Sequence, residues 1–169
     1  MRKYAVAGTM VVTCLAVLLS MSAVGWAVTD QQTLTINAAV AAKAKLTLGV
    51  AAINFADSDP DDVPSIGASE NPVSVTVKAH SGSSQTVTLT VQASGDLESG
   101  GDSIPITNVT WTASGSGFLS GTMDTSAQPA GSWTGSGQRD GQFSYFLAND
   151  WNYQTGSYTQ SVVYTLSAP

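Results

Sequence analysis

The sequence predicts an all-β protein, because three features recur along it. Several stretches alternate apolar and polar residues with the period of two that is typical of a strand with one buried face. Glycine, serine, asparagine and proline separate these stretches at short intervals, and no amphipathic helical pattern follows the N-terminal apolar run. Seven to nine short strands of this kind favour an antiparallel β-sandwich of immunoglobulin-like type, with a closed barrel as the alternative.

The N-terminus has the layout of a secretory signal peptide. Arg2 and Lys3 precede the apolar run AVAGTMVVTCLAVLL, and small residues follow before the polar TDQQ. The tripeptide GWA ending at Ala27 resembles a cleavage site, which predicts a signal peptide at residues 1–27 and a single domain at residues 28–169. An uncleaved anchor is the less favoured alternative, because the run is shorter than the roughly 20 residues of a spanning helix.

The composition excludes several classes of function. The only cysteine, Cys14, lies in the predicted signal, so the exported domain can form neither a disulfide nor a thiolate metal site. Four basic residues remain in that domain against twelve acidic ones, which gives a net charge of −8. So few cations argue against binding nucleic acid and, after signal cleavage, against binding an anionic membrane surface.

The first predicted strand, TLTINAAV at residues 33–40, places four apolar side chains on one face: Leu34, Ile36, Ala38 and Val40. The period of two resumes in LTLGV and leads to a short segment at residues 53–55. PVSVTVKA and QTVTLTVQA are well-marked strands, joined as a hairpin by a turn at residues 80–84. If the chain assembles from like subunits, residues 29–40 are the segment that we expect to pair with a neighbouring subunit, because an exposed sheet edge can accept such a strand.

Further strands are predicted at residues 109–113, 142–148 and 156–169, while residues 114–141 suggest only one or two short ones. The closing stretch, GSYTQSVVYTLSAP, shows the clearest alternation in the chain. Its inward-facing residues are expected to be Tyr158, Val162, Tyr164 and Leu166.

Catalytic chemistry has little support in the sequence. His80, the only histidine, lies in a serine- and glycine-rich turn, and no GxSxG motif is present. We therefore expect no enzyme and assign no catalytic residue.

The long loop at residues 56–72 offers a candidate calcium site, because the oxygens of alternating aspartates can converge on a hard cation. The candidate ligands are Asp57, Asp59, Asp61 and Asp62. A solvated acidic loop is the preferred alternative, since the glycine and glutamate of an EF-hand are missing.

A glycan-binding platform is a second candidate site. Flat sugar faces pack on aromatic rings, and Trp133, Trp151 and Tyr153 could present such rings. The alternative is that these aromatic residues fill the core or close the ends of the sandwich.

Two families of surface proteins are similar to parts of the chain. The closing stretch resembles the last strand of WxL domains, which associate with bacterial cell walls, at Gly156, Tyr158, Thr159, Tyr164 and Leu166. Tyr164 stands where that family has tryptophan, and the earlier motif is represented only by Trp111-Thr-Ala113. The order of segments, with Ile53-Asn-Phe55 after an alternating strand, also resembles the spore coat protein U and archaic pilin subunits, although these often carry a disulfide.

These observations predict an exported structural or adhesive subunit of the cell surface. Its expected partners are other copies of itself or other surface proteins. The alternative is a module that binds cell-wall polysaccharide through its aromatic residues. No cofactor is expected apart from the candidate calcium ion.

Overall fold

A computed structural model describes residues 30–169, and the predicted signal peptide lies outside them. The chain divides into two units, the first ending at Asn37 and the second comprising Ala38–Pro169. Within the first unit, residues 30–37 are exposed and have no regular secondary structure. Within residues 30–169, no helix has the length and apolar character needed to cross a membrane.

The second unit is built from eleven strands and one short 3₁₀ helix, so the all-β prediction is confirmed. Every strand pair is antiparallel. In chain order the strands are β1 (Lys43–Leu48), β2 (Ser65–Gly67), β3 (Val73–His80), β4 (Thr86–Ala93), β5 (Leu97–Ser99), β6 (Asp102–Ile104), β7 (Val109–Ser114), β8 (Gly121–Thr122), β9 (Gln128–Thr134), β10 (Gly137–Ala148) and β11 (Val162–Ser167). The 3₁₀ helix, Ile106–Asn108, precedes β7.

Two sheets share one apolar core, in the manner of a β-sandwich. The larger sheet has the order β1-β3-β10-β7-β8, and β2 pairs with the C-terminal end of β10. The smaller sheet has the order β11-β4-β9. A separate hairpin joins β5 and β6. The predicted hairpin of β3 and β4 is wrong, because β3 pairs with β1 and β10 while β4 pairs with β11 and β9. The turn between them crosses from one sheet to the other, so these consecutive strands contribute to opposite sides of the core.

The central strands follow the predicted alternation. Alternate residues of β3 from Val73 to Ala79 are buried, as are alternate residues of β4 from Val87 to Ala93. In β10, Phe143, Tyr145 and Leu147 lie on one face and are all buried, while Phe146 on the other face is partly buried. The period of two therefore identified the core-facing residues of β3 and β4, and it also describes the buried face of β10.

Three strand predictions need correction. Residues 33–40 form no strand in the described chain, and β1 begins only at Lys43. Residues 53–55 are not a strand either, although Ile53 and Phe55 pack against the core. The last strand begins at Val162 rather than near Gly156, and Val162 is exposed rather than inward. Residues 33–40, 53–55 and 156–161 are not paired with a neighbouring strand in a sheet. Alternation alone therefore did not make them strands.

Candidate functional site

On one side of the sandwich the two sheets end in β1 and β11, while β8 and β9 are the edge strands of the other side. β1 pairs only with β3 and β11 pairs only with β4, so each is the edge strand of its sheet. No residue of either strand is fully buried, whereas β3 and β4 each bury four. Leu46, Leu48, Tyr164 and Leu166 are only partly buried against the core. An edge strand also leaves its outward backbone N–H and C=O groups without sheet partners.

A large groove opens between the sheets at the end where β1 finishes and β11 starts. Its volume is about 1310 Å³. One side is lined by Leu48 at the end of β1 and by the segment that follows it, including Ile53 and Phe55. The other side is lined by the segment that leads into β11. Apolar residues at its base include Ile104, Ile106, Val109, Tyr145 and Leu147.

The first wall of the groove is held in place by an asparagine and a glutamate. The Glu70 carboxylate accepts hydrogen bonds from the Asn54 backbone N–H at 2.8 Å and from its side-chain amide at 2.7 Å. The Asn54 carbonyl in turn accepts the Ser69 N–H at 2.9 Å. These bonds to Asn54 lower the pKa of Glu70. They fix residues 53–55 without making them part of a sheet.

The second wall is held by bonds from side chains and isolated backbone pairs. The Tyr153 hydroxyl donates to the Ala148 carbonyl at 3.0 Å and accepts from the Asn108 amide at 2.7 Å. Glu98 and Thr159 exchange two backbone hydrogen bonds, at 3.1 and 3.2 Å. The groove is therefore bounded by two anchored segments that do not pair with each other as neighbouring strands.

Two tyrosines join the sheets at the base of the groove. The hydroxyls of Tyr145 in β10 and Tyr164 in β11 are 2.8 Å apart, and the Tyr164 ring stacks on Phe143 with centroids 6.0 Å apart. Burial raises the pKa of both hydroxyls. Each phenol is therefore neutral at physiological pH and can serve as donor or acceptor for the other.

The structure does not assemble the predicted aromatic platform from all three residues. Trp133 is buried, its ring packs edge-on against Phe118, and its indole N–H donates to the Ser116 carbonyl at 2.8 Å. Trp133 therefore presents no ring for a sugar to stack on. Trp151 and Tyr153 both line the groove, and Trp151 is 66% exposed.

The predicted calcium loop uses several of its polar groups internally. Asp59 accepts the Asp61 N–H on its side chain at 2.9 Å and the Val63 N–H on its carbonyl at 2.8 Å. The Asp61 carboxylate accepts the Trp151 indole N–H at 3.1 Å. Among residues 30–169, no group of three or more acidic, histidine or cysteine side chains is arranged to hold a metal ion. Asp57 and Asp59 instead line the groove.

The residues predicted to pair with another subunit remain accessible for that role. Leu34, Ile36 and Val40 are 83%, 84% and 77% exposed, and Ala38 is exposed as well. His80 is an exposed residue at the end of β3. The groove could not be predicted from the alternation, because much of its base comes from short strands and a 3₁₀ helix between residues 97 and 109 that show little of it.

No protein-family model matches the chain, and no curated protein is significantly similar to it. Indications of function therefore come from the groove, the two edge strands and the exposed alternating segment.

Proposed function

We propose that this protein is an exported, non-enzymatic structural or adhesive subunit of the cell surface whose copies associate by strand addition. Residues 33–40 of one copy would occupy the groove of another and extend the exposed edge of β1 or β11. The observation that carries this proposal is the coexistence of a groove with an apolar base and an exposed alternating strand sequence in the same chain.

The size of the groove supports a polypeptide as its occupant. Pockets for small ligands have volumes of about 300–1,000 Å³, and this groove exceeds that range. Its lining includes both the segment after β1 and the start of β11, so an occupant there would lie next to both edge strands. An extended strand can place every second side chain into such a groove while its backbone bonds to a sheet edge.

The chemistry of residues 33–40 supports this segment as the occupant. Its apolar side chains all lie at even positions, so one face of an extended conformation would be apolar and the other would carry Thr33, Thr35 and Asn37. A strand of eight residues has the same number of residues as β3 and spans about 23 Å from its first to its last Cα atom. Burying Leu34 or Ile36 would each contribute about 1.5–3 kcal/mol.

The proposed fold is an immunoglobulin-like sandwich that lacks one edge strand. The crossing of consecutive strands β3 and β4 between the sheets accords with that topology. So does the resemblance of the first and last segments to spore coat protein U and archaic pilin subunits. The predicted signal peptide supports export, and the proposed location is the cell surface or the extracellular space.

The decisive variants change only the apolar face of the exposed segment. Leu34→Ser/Ile36→Ser should abolish self-association measured by light scattering on size-exclusion chromatography, because it removes both large side chains. Thr33→Ser/Thr35→Ser is the matched control on the opposite face and should associate like the unmodified chain. Equal association of both double variants would overturn the proposal.

Binding of wall polysaccharide is a second candidate function, favoured by the placement of Trp151. Its exposed ring is oriented by a hydrogen bond to Asp61 and lines the groove, as Tyr153 does. Pull-down on purified peptidoglycan and wall polysaccharides should then retain the protein and lose it on Trp151→Ala. Val163→Ala, at an exposed apolar residue of β11, is the control. Retention that is indifferent to Trp151, or no retention, would exclude this function.

A further inference from the structure

We infer that two copies approach head to tail, with the basic end of one sandwich against the acidic, groove-bearing end of the next. This inference rests on the proposed strand addition and specifies how the second copy is oriented. It follows from the distribution of charge along the strands.

The basic residues of the unit Ala38–Pro169 lie together at one end. Lys43 pairs with His80, and Lys45 pairs with Lys78, across β1 and β3. These four side chains are exposed on the outer face of the larger sheet. Arg139 lies at the same end, opposite Val77 on the neighbouring strand β10. This group of five residues is the basic end.

The basic end carries an electrostatic cost that a partner could relieve. Lys45 and Lys78 are directly opposite each other on adjacent strands, where like charges are destabilising. Asp140 lies opposite Thr76 on the same face and accepts its hydroxyl hydrogen bond at 2.7 Å. The pKa of Asp140 is lowered by the bonds from Thr76 and Gln138 and also by the charge of Lys78, so this one carboxylate offsets part of the repulsion. The lysines therefore outnumber the carboxylates on this face, and an anionic surface would bind there favourably.

Ten of the acidic residues lie at the other end, beyond the opposite termini of β3, β4 and β10. The loop with Asp57 is tied to the end of β10, because the Asn149 amide donates to the Ser58 carbonyl at 2.9 Å. Asp96 and Glu98 follow the end of β4, and the Asp124 carbonyl accepts the N–H of its last residue at 2.9 Å. The full set, here the acidic end, is Asp57, Asp59, Asp61, Asp62, Glu70, Asp96, Glu98, Asp102, Asp124 and Asp150.

The two ends are far enough apart to act separately. The seven residue steps of β3 span about 23 Å, whereas the screening length at physiological salt is about 8 Å. Side-by-side contacts between copies that point in the same direction would bring like charges together. Contact of a basic end with an acidic end lets the charges attract, and the head-to-tail arrangement achieves this while also bringing the donor segment of one copy to the groove of the next.

The same orientation brings the donor segment to the groove. Val40 is only three residues before Lys43, so the segment ends within roughly 11 Å of the basic end. The groove opens at the acidic end and is lined by Asp57, Asp59 and Asp150. A partner for this end must therefore offer both an apolar strand and nearby cations, and a second copy of this chain offers both.

Charge reversal at each end tests the inference on the exported chain with its processed N-terminus. Lys45→Glu/Lys78→Glu reverses the basic end. Asp57→Lys/Asp62→Lys reverses part of the acidic end at carboxylates that make no hydrogen bond among those found in residues 30–169. Each double variant alone should associate about tenfold more slowly than the unmodified chain at 20 mM NaCl, measured by light scattering. The deficit should shrink at 500 mM NaCl.

Mixing the two double variants provides the specific readout. Their reversed ends are complementary to each other, so the mixture should recover association that neither variant shows alone. Unchanged thermal melting of each variant serves as the folding control. Failure of the mixture to recover would overturn the inference. Retention on an anionic wall polymer that depends on Lys45 and Lys78, with self-association unaffected, would also overturn it.

The outcome separates this inference from the proposed function. If Leu34→Ser/Ile36→Ser blocks association but charge reversal does not, strand addition stands and head-to-tail docking by charge fails. If charge reversal blocks association and the apolar variant does not, the charged ends dock without strand addition.

Discussion

The central strands β3 and β4 and the edge strands β1 and β11 have similar alternating sequences but very different burial. Every inward residue of β3 and β4 is at most 6% exposed, while no residue of β1 or β11 is fully buried. The difference arises from neighbours, because each central strand has a partner on both sides and each edge strand has only one. Alternation therefore indicates which face of a strand can be buried, and only the sheet around it decides how far this happens.

The largest effect is expected in the completed part of the core. Phe143 is 0% exposed and contacts the rings of Phe118, Tyr145 and Tyr164. Phe143→Ala should lower the free energy of unfolding by about 3–5 kcal/mol in urea denaturation, because it leaves a large cavity. Leu46→Ala in half-buried β1 should cost clearly less. Equal costs would contradict the contrast between core and edge.

Tyr164 is the residue of the edge strand whose loss should matter most. Tyr164→Ser removes the ring stacked on Phe143 and should cost about 3 kcal/mol or more. Tyr164→Phe keeps the ring and loses only the hydroxyl contact with Tyr145, so about 1 kcal/mol is expected. Thermal and urea unfolding measure both. If Tyr164→Ser kept its melting temperature but lost association, β11 would be a binding surface rather than part of the core.

A peptide with the sequence of residues 30–42 should stabilise the protein when it is added in trans. A ligand that binds only the folded state at 100 times its Kd raises the free energy of unfolding by about 2.7 kcal/mol. A control peptide in which Leu34 and Ile36 exchange places with Thr33 and Thr35 keeps the composition but moves both large side chains to the other face. The control peptide should raise Tm much less. Equal shifts in Tm from the two peptides would argue against a groove that distinguishes the apolar face of the segment from its polar face.

A smaller, pH-dependent effect is expected at Glu70. Hydrogen bonds from Asn54 lower the pKa of its carboxyl group in the folded protein. Its contribution to stability is therefore present above the ordinary pKa of glutamate and is lost as the pH falls through the lower folded value. Glu70→Gln should be less stable than the unmodified protein at pH 7, and the two should converge at acidic pH. Asn54→Ala should remove the same pH dependence, and an unchanged difference at low pH would contradict this role.

The parts of the fold that the sequence predicted are those in which each strand has partners on both sides. β3, β4 and the second half of β10 were predicted closely, because their alternation is complete. One or two short strands were expected within residues 114–141, and β8 and β9 lie there, but their bounds were not predicted because the glycines around them suggested loops. These glycines instead make room for tryptophan rings: a side chain at Gly131 would collide with Trp133, and one at Gly121 would collide with Trp111.

The candidate site was only partly predictable for a related reason. Residues 29–40 were expected to pair with a neighbouring subunit, and that remains a prediction. The groove could not be predicted, since its walls are fixed by individual bonds such as that between Asn54 and Glu70. Trp133 was misjudged because periodicity does not distinguish a buried ring from an exposed one in a glycine-rich segment.

Hydrogen exchange of the assembled protein tests most directly whether residues 33–40 of one copy complete the sandwich of another. In the monomer, amides of this exposed segment should exchange rapidly. In the assembled form, we predict strong protection of residues 33–40 together with increased protection along β1 or β11, and little change in β4. Rapid exchange of residues 33–40 in protein that is fully assembled would contradict the account.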